Sequence, residues 1–117
     1  QGASVTLFSG IFSRRPAPGT SGLAAVNAAI EGLTRALALE LGGHVRVNAI
    51  SPGLTQTEAY AGMPEADRQA MFAGAAAALP ARKVGDPGEV AAGAIFLMTN
   101  AFVTGHVLDI DGGAAIA

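Results

Sequence analysis

Residues 22–41 constrain this chain more than any other stretch. Alanine and leucine dominate them, no proline interrupts them, and Gly42-Gly43 follows. That is the pattern of a long helix closed by C-terminal glycine. The polar residues Asn27, Glu31 and Arg35 recur at steps of four, so they share one narrow stripe of the helix. Nearly all of the remaining surface is apolar. A helix of that kind has to be covered on several sides, within a layered core or against another subunit.

The flanking segments say what the layers are. Val5-Thr6-Leu7-Phe8 is a short β-prone run that ends at Ser9-Gly10, and it predicts a buried strand. Residues 9–22 carry Gly10, Pro16, Pro18, Gly19 and Gly22, which predicts a loop. Arg14 and Arg15 within it read as a solvated pair. Val45 to Ile50 alternates and predicts a second strand, broken by Ser51-Pro52-Gly53. A loop with Thr55, Thr57 and Tyr60 leads to a second helical stretch from Pro64 to about Ala78, ended by Pro80. Asp86-Pro87-Gly88-Glu89 is a helix start, with Asp86 at the N-cap, Pro87 at N1 and Glu89 at N3. That helix runs to about Thr99. Val107 to Ile110 is the last strand, before Asp111-Gly112-Gly113. Strands alternating with helices predict a parallel sheet with helical crossovers. Three such strands are too few to cover the long helix, so the expected fold class is α/β, half of a doubly wound domain.

Composition removes several function classes. The 117 residues are 50% hydrophobic and 14% charged, with no cysteine, so neither a disulfide framework nor a thiolate zinc site is available. His44 and His106 are isolated, both expected to be structural, and no metal site is expected. A net charge of −2 with a pI near 5.5 gives no electrostatic footprint for nucleic acid. No apolar run reaches the ~18 residues of a membrane span, and the N-terminus lacks the regions of a signal peptide. The expected location is therefore cytoplasmic, with neither membrane nor nucleic acid as a partner. The chain opens on Gln1 rather than Met, which fits a fragment of a longer protein.

Four stretches carry a family resemblance. They are Gly32-Leu33-Thr34-Arg35-Ala36-Leu37-Ala38-Leu39-Glu40-Leu41, Arg46-Val47-Asn48-Ala49-Ile50-Ser51-Pro52-Gly53, Gly85-Asp86-Pro87-Gly88-Glu89-Val90-Ala91, and the run from Phe102 to Gly113. In this order they resemble the C-terminal half of a short-chain dehydrogenase/reductase, a doubly wound, Rossmann-like parallel-sheet fold. The resemblance implies that residues 1–117 form the C-terminal portion of one such domain. The Gly-rich loop Thr-Gly-x-x-x-Gly-x-Gly, which holds the pyrophosphate at a helix N-terminus in the first half of such folds, has no match here. The implied activity is hydride transfer between NAD or NADP and a small alcohol or carbonyl substrate. A homo-oligomer through the 22–41 helix and the last strand is implied as well.

The same resemblance assigns site residues. Ser9 falls at the position of the serine that orients the carbonyl. The family's Tyr-x-x-x-Lys pair works because i and i+4 share a helix face and a lysine charge favours the phenolate. In this register Leu23 stands at the tyrosine position and Asn27 at the lysine position. Leucine transfers no proton, and asparagine lowers no pKa as a cation does. Asn27 retains an amide able to hydrogen-bond a ribose hydroxyl. The other reading is a polar residue facing solvent or a neighbouring subunit. Pro52, Gly53, Leu54, Thr55 and Thr57 follow a strand end, where ligands of open α/β sheets bind, and they are the implied cofactor-binding turn. Tyr60 has Gln56 and Pro64 four residues away on either side and no cation there, so as a replacement for the missing acid it is disfavoured and it reads as a lid or surface tyrosine. Asp86 with Glu89 is a capping pair, and Asp109 and Asp111 are structural. The substitutions at Leu23 and Asn27 leave a second reading open, a nucleotide-binding or structural relative without chemistry, or a fragment without activity of its own.

Overall fold

The computed structural model describes residues 2–117. Its elements are β1 (Ala3–Phe8), α1 (Ser21–Glu40), β2 (Val45–Pro52), α2 (Glu65–Ala78), α3 (Pro87–Thr99) and β3 (Val107–Ile110), with short 3-10 turns at Ile11–Ser13, Glu58–Tyr60 and Ala114–Ile116. The three strands form one sheet in the order β1-β2-β3, and both pairings are parallel. Ala3 lies opposite Val45 and Phe8 opposite Ile50, while Ala49 to Pro52 run beside Val107 to Ile110. The α/β class and the order of elements follow the sequence expectation, with β1 and β2 each two residues longer than the apolar pattern marks.

The two faces of the sheet carry different helices. A Cβ on Gly93 of α3 would meet Ile110 and Leu108, so α3 packs over the face those residues share. Asp109 lies between them and projects to the other side. There it meets Arg14, which also approaches Glu31 of α1. The middle strand is consequently covered on both faces. Val47, Asn48, Ala49, Ile50 and Ser51 are fully buried, and Leu97 of α3 and Thr34 of α1 close the core around them.

Long-range bonds fasten the segment before β3 onto β2. The Arg46 guanidinium donates to the carbonyls of Leu97 at 2.6 Å, Met98 at 2.7 Å and Val103 at 3.1 Å. A cation on the last carbonyls of a helix is favourable by hydrogen bonding and by the helix dipole. Buried Asn48 donates from Nδ2 to the Val103 carbonyl and accepts at Oδ1 from the His106 N–H, both at 3.0 Å. At the start of α3 the expected cap is present. The Asp86 carboxylate accepts from the Gly88 N–H, and Glu89 accepts from the Asp86 N–H at 2.9 Å and from Lys83 at 2.8 Å.

The polar stripe of α1 divides along the helix, with Glu31 only 6% exposed and Asn27 half-buried but Arg35 exposed. Leu23, Val26, Leu33 and Leu39 instead face out, Leu39 to 85%. Arg14 is not one of a solvated pair, because its guanidinium forks onto the Asp109 carboxylate. At 20 residues with mean hydropathy 1.2, α1 is also long and apolar enough to cross a membrane, contrary to the expectation of no such helix. It carries Glu31 at its middle and packs along the sheet, an arrangement also found in core helices.

Two outcomes follow from these contacts. Asn48→Ala removes the acceptor of the His106 N–H and one of the two donors to the Val103 carbonyl, which keeps Arg46, and should cost about 1–2 kcal/mol in urea unfolding. Lys83 and then the Asp86 N–H hold the Glu89 carboxyl below the ordinary glutamate range. Its contribution is present above about pH 4.3 and lost as pH falls through the depressed folded value. The melting temperature should therefore fall more steeply on acidification in the wild type than in Glu89→Gln. Equal slopes would remove this charge from the account.

Candidate active site

Parallel pairing brings the carboxyl ends of β1 and β2 side by side. Ser9 extends the ladder by one residue, with its N–H 2.8 Å from the Ile50 carbonyl and its hydroxyl 3.4 Å from the same oxygen. On the next pair, the Gly53 N–H donates to the Ile110 carbonyl at 2.9 Å. A Cβ at Gly53 would lie 2.8 Å from the Asp111 Cα. Only glycine lets the turn after Pro52 close onto the chain leaving β3.

Beyond these ends lies an open cavity of about 640 Å³. It is lined by Ser9, Leu23, Asn27, Pro52, Gly53, Leu54 and Tyr60, with an apolar wall of Ile11, Phe12, Ala75, Ala78, Leu79 and Ala114. A neighbouring cavity of about 320 Å³ shares Pro52, Gly53 and Tyr60 and adds Thr55 and Thr57. The structure thus collects Ser9, Asn27, Pro52, Gly53 and Leu54 in one space and puts Thr55 and Thr57 in the next. No Asp, Glu, Lys, Arg or His lines either cavity. Another hollow, of about 380 Å³, lies around His44, Arg46 and Phe102, by the amino ends of β1 and β2.

Asn27 sits against the backbone beside Ser9. A Cβ on Gly10 would come within 2.8 Å of Asn27 Nδ2, so the missing side chain makes the room. Among the described residues the Asn27 amide has no hydrogen-bond partner, which leaves its donors and acceptor for a ligand. One turn further along α1, Glu31 accepts from the Ser13 hydroxyl at 2.6 Å, and that hydroxyl is 3.1 Å from the Gly10 carbonyl. Arg14 joins the same loop to Asp109, and this hydrogen bond raises the guanidinium pKa further. The turn that carries Ile11 and Phe12 is therefore tied to α1 and to β3.

The two threonines differ in what they have free. Thr55 donates to the Gly53 carbonyl at 3.0 Å and so offers only lone pairs. Its backbone neighbours are fixed, since Gly85 N–H donates to Leu54 and Gln56 N–H donates to Gly85, each at 2.9 Å. Thr57 accepts from the Ala59 N–H at 3.4 Å and keeps its O–H proton to give. Sequence reasoning missed Ile11 and Phe12. Their signal was an apolar pair inside a Gly/Pro-rich loop, where a residue has no packing reason to be apolar unless it faces a cavity or a core. Asp111 accepts from the Gly113 and Ala115 N–H groups, both at 2.9 Å, and so holds the turn that follows β3.

A family model described as enoyl-(acyl carrier protein) reductase matches residues 1–115. The chain is 44% identical over 112 residues to a short-chain dehydrogenase/reductase of Stachybotrys chlorohalonatus, covering 96% of this chain and 44% of that relative. A small-chain dehydrogenase solved in complex with NADPH superposes with a TM-score of 0.94 at 50% identity, over 100% of this chain and 53% of that one. A short-chain oxidoreductase of Pseudomonas aeruginosa PAO1, solved with NADPH and containing an atypical catalytic center, gives 0.88 at 28% identity, over 99% and 47%. The chain spans about half the length of these relatives.

Substituting Gly53 tests the turn on which both cavities depend. Gly53→Ala pushes a methyl into backbone and should destabilise by about 1–3 kcal/mol. Stability unchanged in thermal unfolding would show that the turn relaxes freely.

Proposed function

The chain belongs to the short-chain dehydrogenase/reductase family, and from that premise we propose that it is the C-terminal half of an NAD(P)-dependent oxidoreductase with an atypical active site, acting on a neutral alcohol or carbonyl compound. One observation carries the reading. Ser9, Asn27 and the Pro52-Gly53-Leu54 turn line a single cavity at the carboxyl ends of parallel strands, where such sheets bind their ligands.

The residues present suit a dinucleotide. In the family register the unpartnered Asn27 amide would meet a ribose hydroxyl, and Gly10 leaves space beside it. Backbone groups at Leu54 and Thr55 would meet the carboxamide, and Thr57 has a hydroxyl proton to donate. A nicotinamide, when bound, supplies or takes a hydride. Ser9 would donate a hydrogen bond to the substrate oxygen and stabilise the charge that gathers there. Leu23 contributes apolar surface and no proton. The pyrophosphate loop would come from a preceding half of the protein, which would also set the choice between NAD and NADP.

The outward face of α1, with Leu23, Val26, Leu33 and Leu39, supports a homo-oligomer through this helix, with the last strand continuing the contact. A soluble cytoplasmic enzyme is the cellular setting this reading takes. A second reading has support of its own. With Leu23 and Asn27 in the tyrosine and lysine positions, a relative that binds nucleotide without turnover fits the same cavity.

NADPH and NADH titrations, with carbonyl reduction followed at 340 nm, separate the two on the protein as its gene encodes it in full. Ser9→Ala should lower kcat about 100-fold or more while leaving cofactor affinity unchanged. Cofactor binding without turnover on a broad ketone panel would favour the non-catalytic reading. Absence of both would overturn the proposal.

A further inference from the structure

An oxidoreductase site of this kind needs a proton for the substrate oxygen, and Leu23 has none. Resting on the oxidoreductase reading above, we infer that Tyr60 is the catalytic proton donor, reaching the substrate from the lid side of the cavity rather than from α1.

Elimination among the lining residues leads there. Of the side chains around the larger cavity, only Ser9, Asn27 and Tyr60 carry polar hydrogens. An asparagine amide does not ionise. An aliphatic hydroxyl is a far weaker acid than a phenol, so Ser9 can polarise a carbonyl but not protonate it well. A phenol is the stronger acid by several orders of magnitude, near ~10 in water. Tyr60 also lines both cavities, together with Pro52 and Gly53. The position is braced. Its ring stands edge-on to Phe72 of α2, with centroids 5.5 Å apart at 83°. Thr57 caps the turn that carries it. Among the described residues the phenol hydroxyl has no protein partner.

The step balances without another reagent. With a reduced nicotinamide bound to supply a hydride to the carbonyl carbon, the C=O π pair would move onto oxygen, and that oxygen would take the Tyr60 Oη proton. The phenolate recovers a proton from water entering the open cavity.

Tyr60→Phe keeps the ring and its contact with Phe72. In the full protein it should lower kcat for ketones such as cyclohexanone and 2-octanone about 100-fold or more, with the NADPH dissociation constant within twofold. A readout independent of turnover uses 3-fluorotyrosine. The ¹⁹F resonance missing from Tyr60→Phe should shift when the ketone is added to protein loaded with the oxidised cofactor. A kcat within threefold of wild type, or an unmoved resonance at a ketone concentration that saturates turnover, overturns the assignment. If Ser9→Ala abolishes turnover and Tyr60→Phe does not, the oxidoreductase reading stands and only Tyr60 falls. If the wild type shows no turnover, both fall.

Discussion

Strand β2 is paired along both edges and covered on both faces, and Ser9 and the Pro52-Gly53 turn reach their places through it. Its N-terminal half receives the bonds of Arg46 and Asn48, which fix the end of α3 and the approach to β3. Its C-terminal end takes Ser9 onto the Ile50 carbonyl and delivers the Pro52-Gly53 turn. The polar side chains at one end are fully used, and the backbone at the other is left open. A parallel strand separates these tasks naturally, because ligands collect only where its carboxyl end and the following loops meet.

Much of this was legible in the chain. Periodicity located the strands and helices, Asp86-Pro87-Gly88-Glu89 announced its capping box, and Pro52-Gly53 marked the turn that the cavity surrounds. The orientation of α1 was not legible. Steps of four say that Asn27 and Glu31 share a face, but not whether that face meets the sheet. The answer depends on Ser13 and Arg14, which lie in a loop and bind Glu31 across the fold. Long-range polar partners of that sort leave no local pattern. Arg46 and Asn48 were read as an alternating strand for the same reason, since their partners lie more than fifty residues away.

The apolar side chains are divided unevenly. A small set around Val47, Ile50 and Leu97 is fully buried, while Leu23, Val26, Leu33 and Leu39 on α1, and Ile95, Phe96 and Met98 on α3, stay exposed. Phe8 and Val5 of the edge strand are exposed too. Surfaces of that extent normally mark contact with further protein, and an uncovered strand edge offers backbone groups for pairing. The outer sides of α1 and α3 and the free edge of β1 are thus the surfaces suited to further protein contact.

Tyr60 is the only tyrosine in a sequence without tryptophan. Its position between the two cavities means that the tyrosine emission of these residues originates at the mouth of the site, beside Pro52 at the end of β2. Tyrosine fluorescence of this segment therefore reports first on the cavity mouth and the contact with Phe72, and on the core only when that contact is lost.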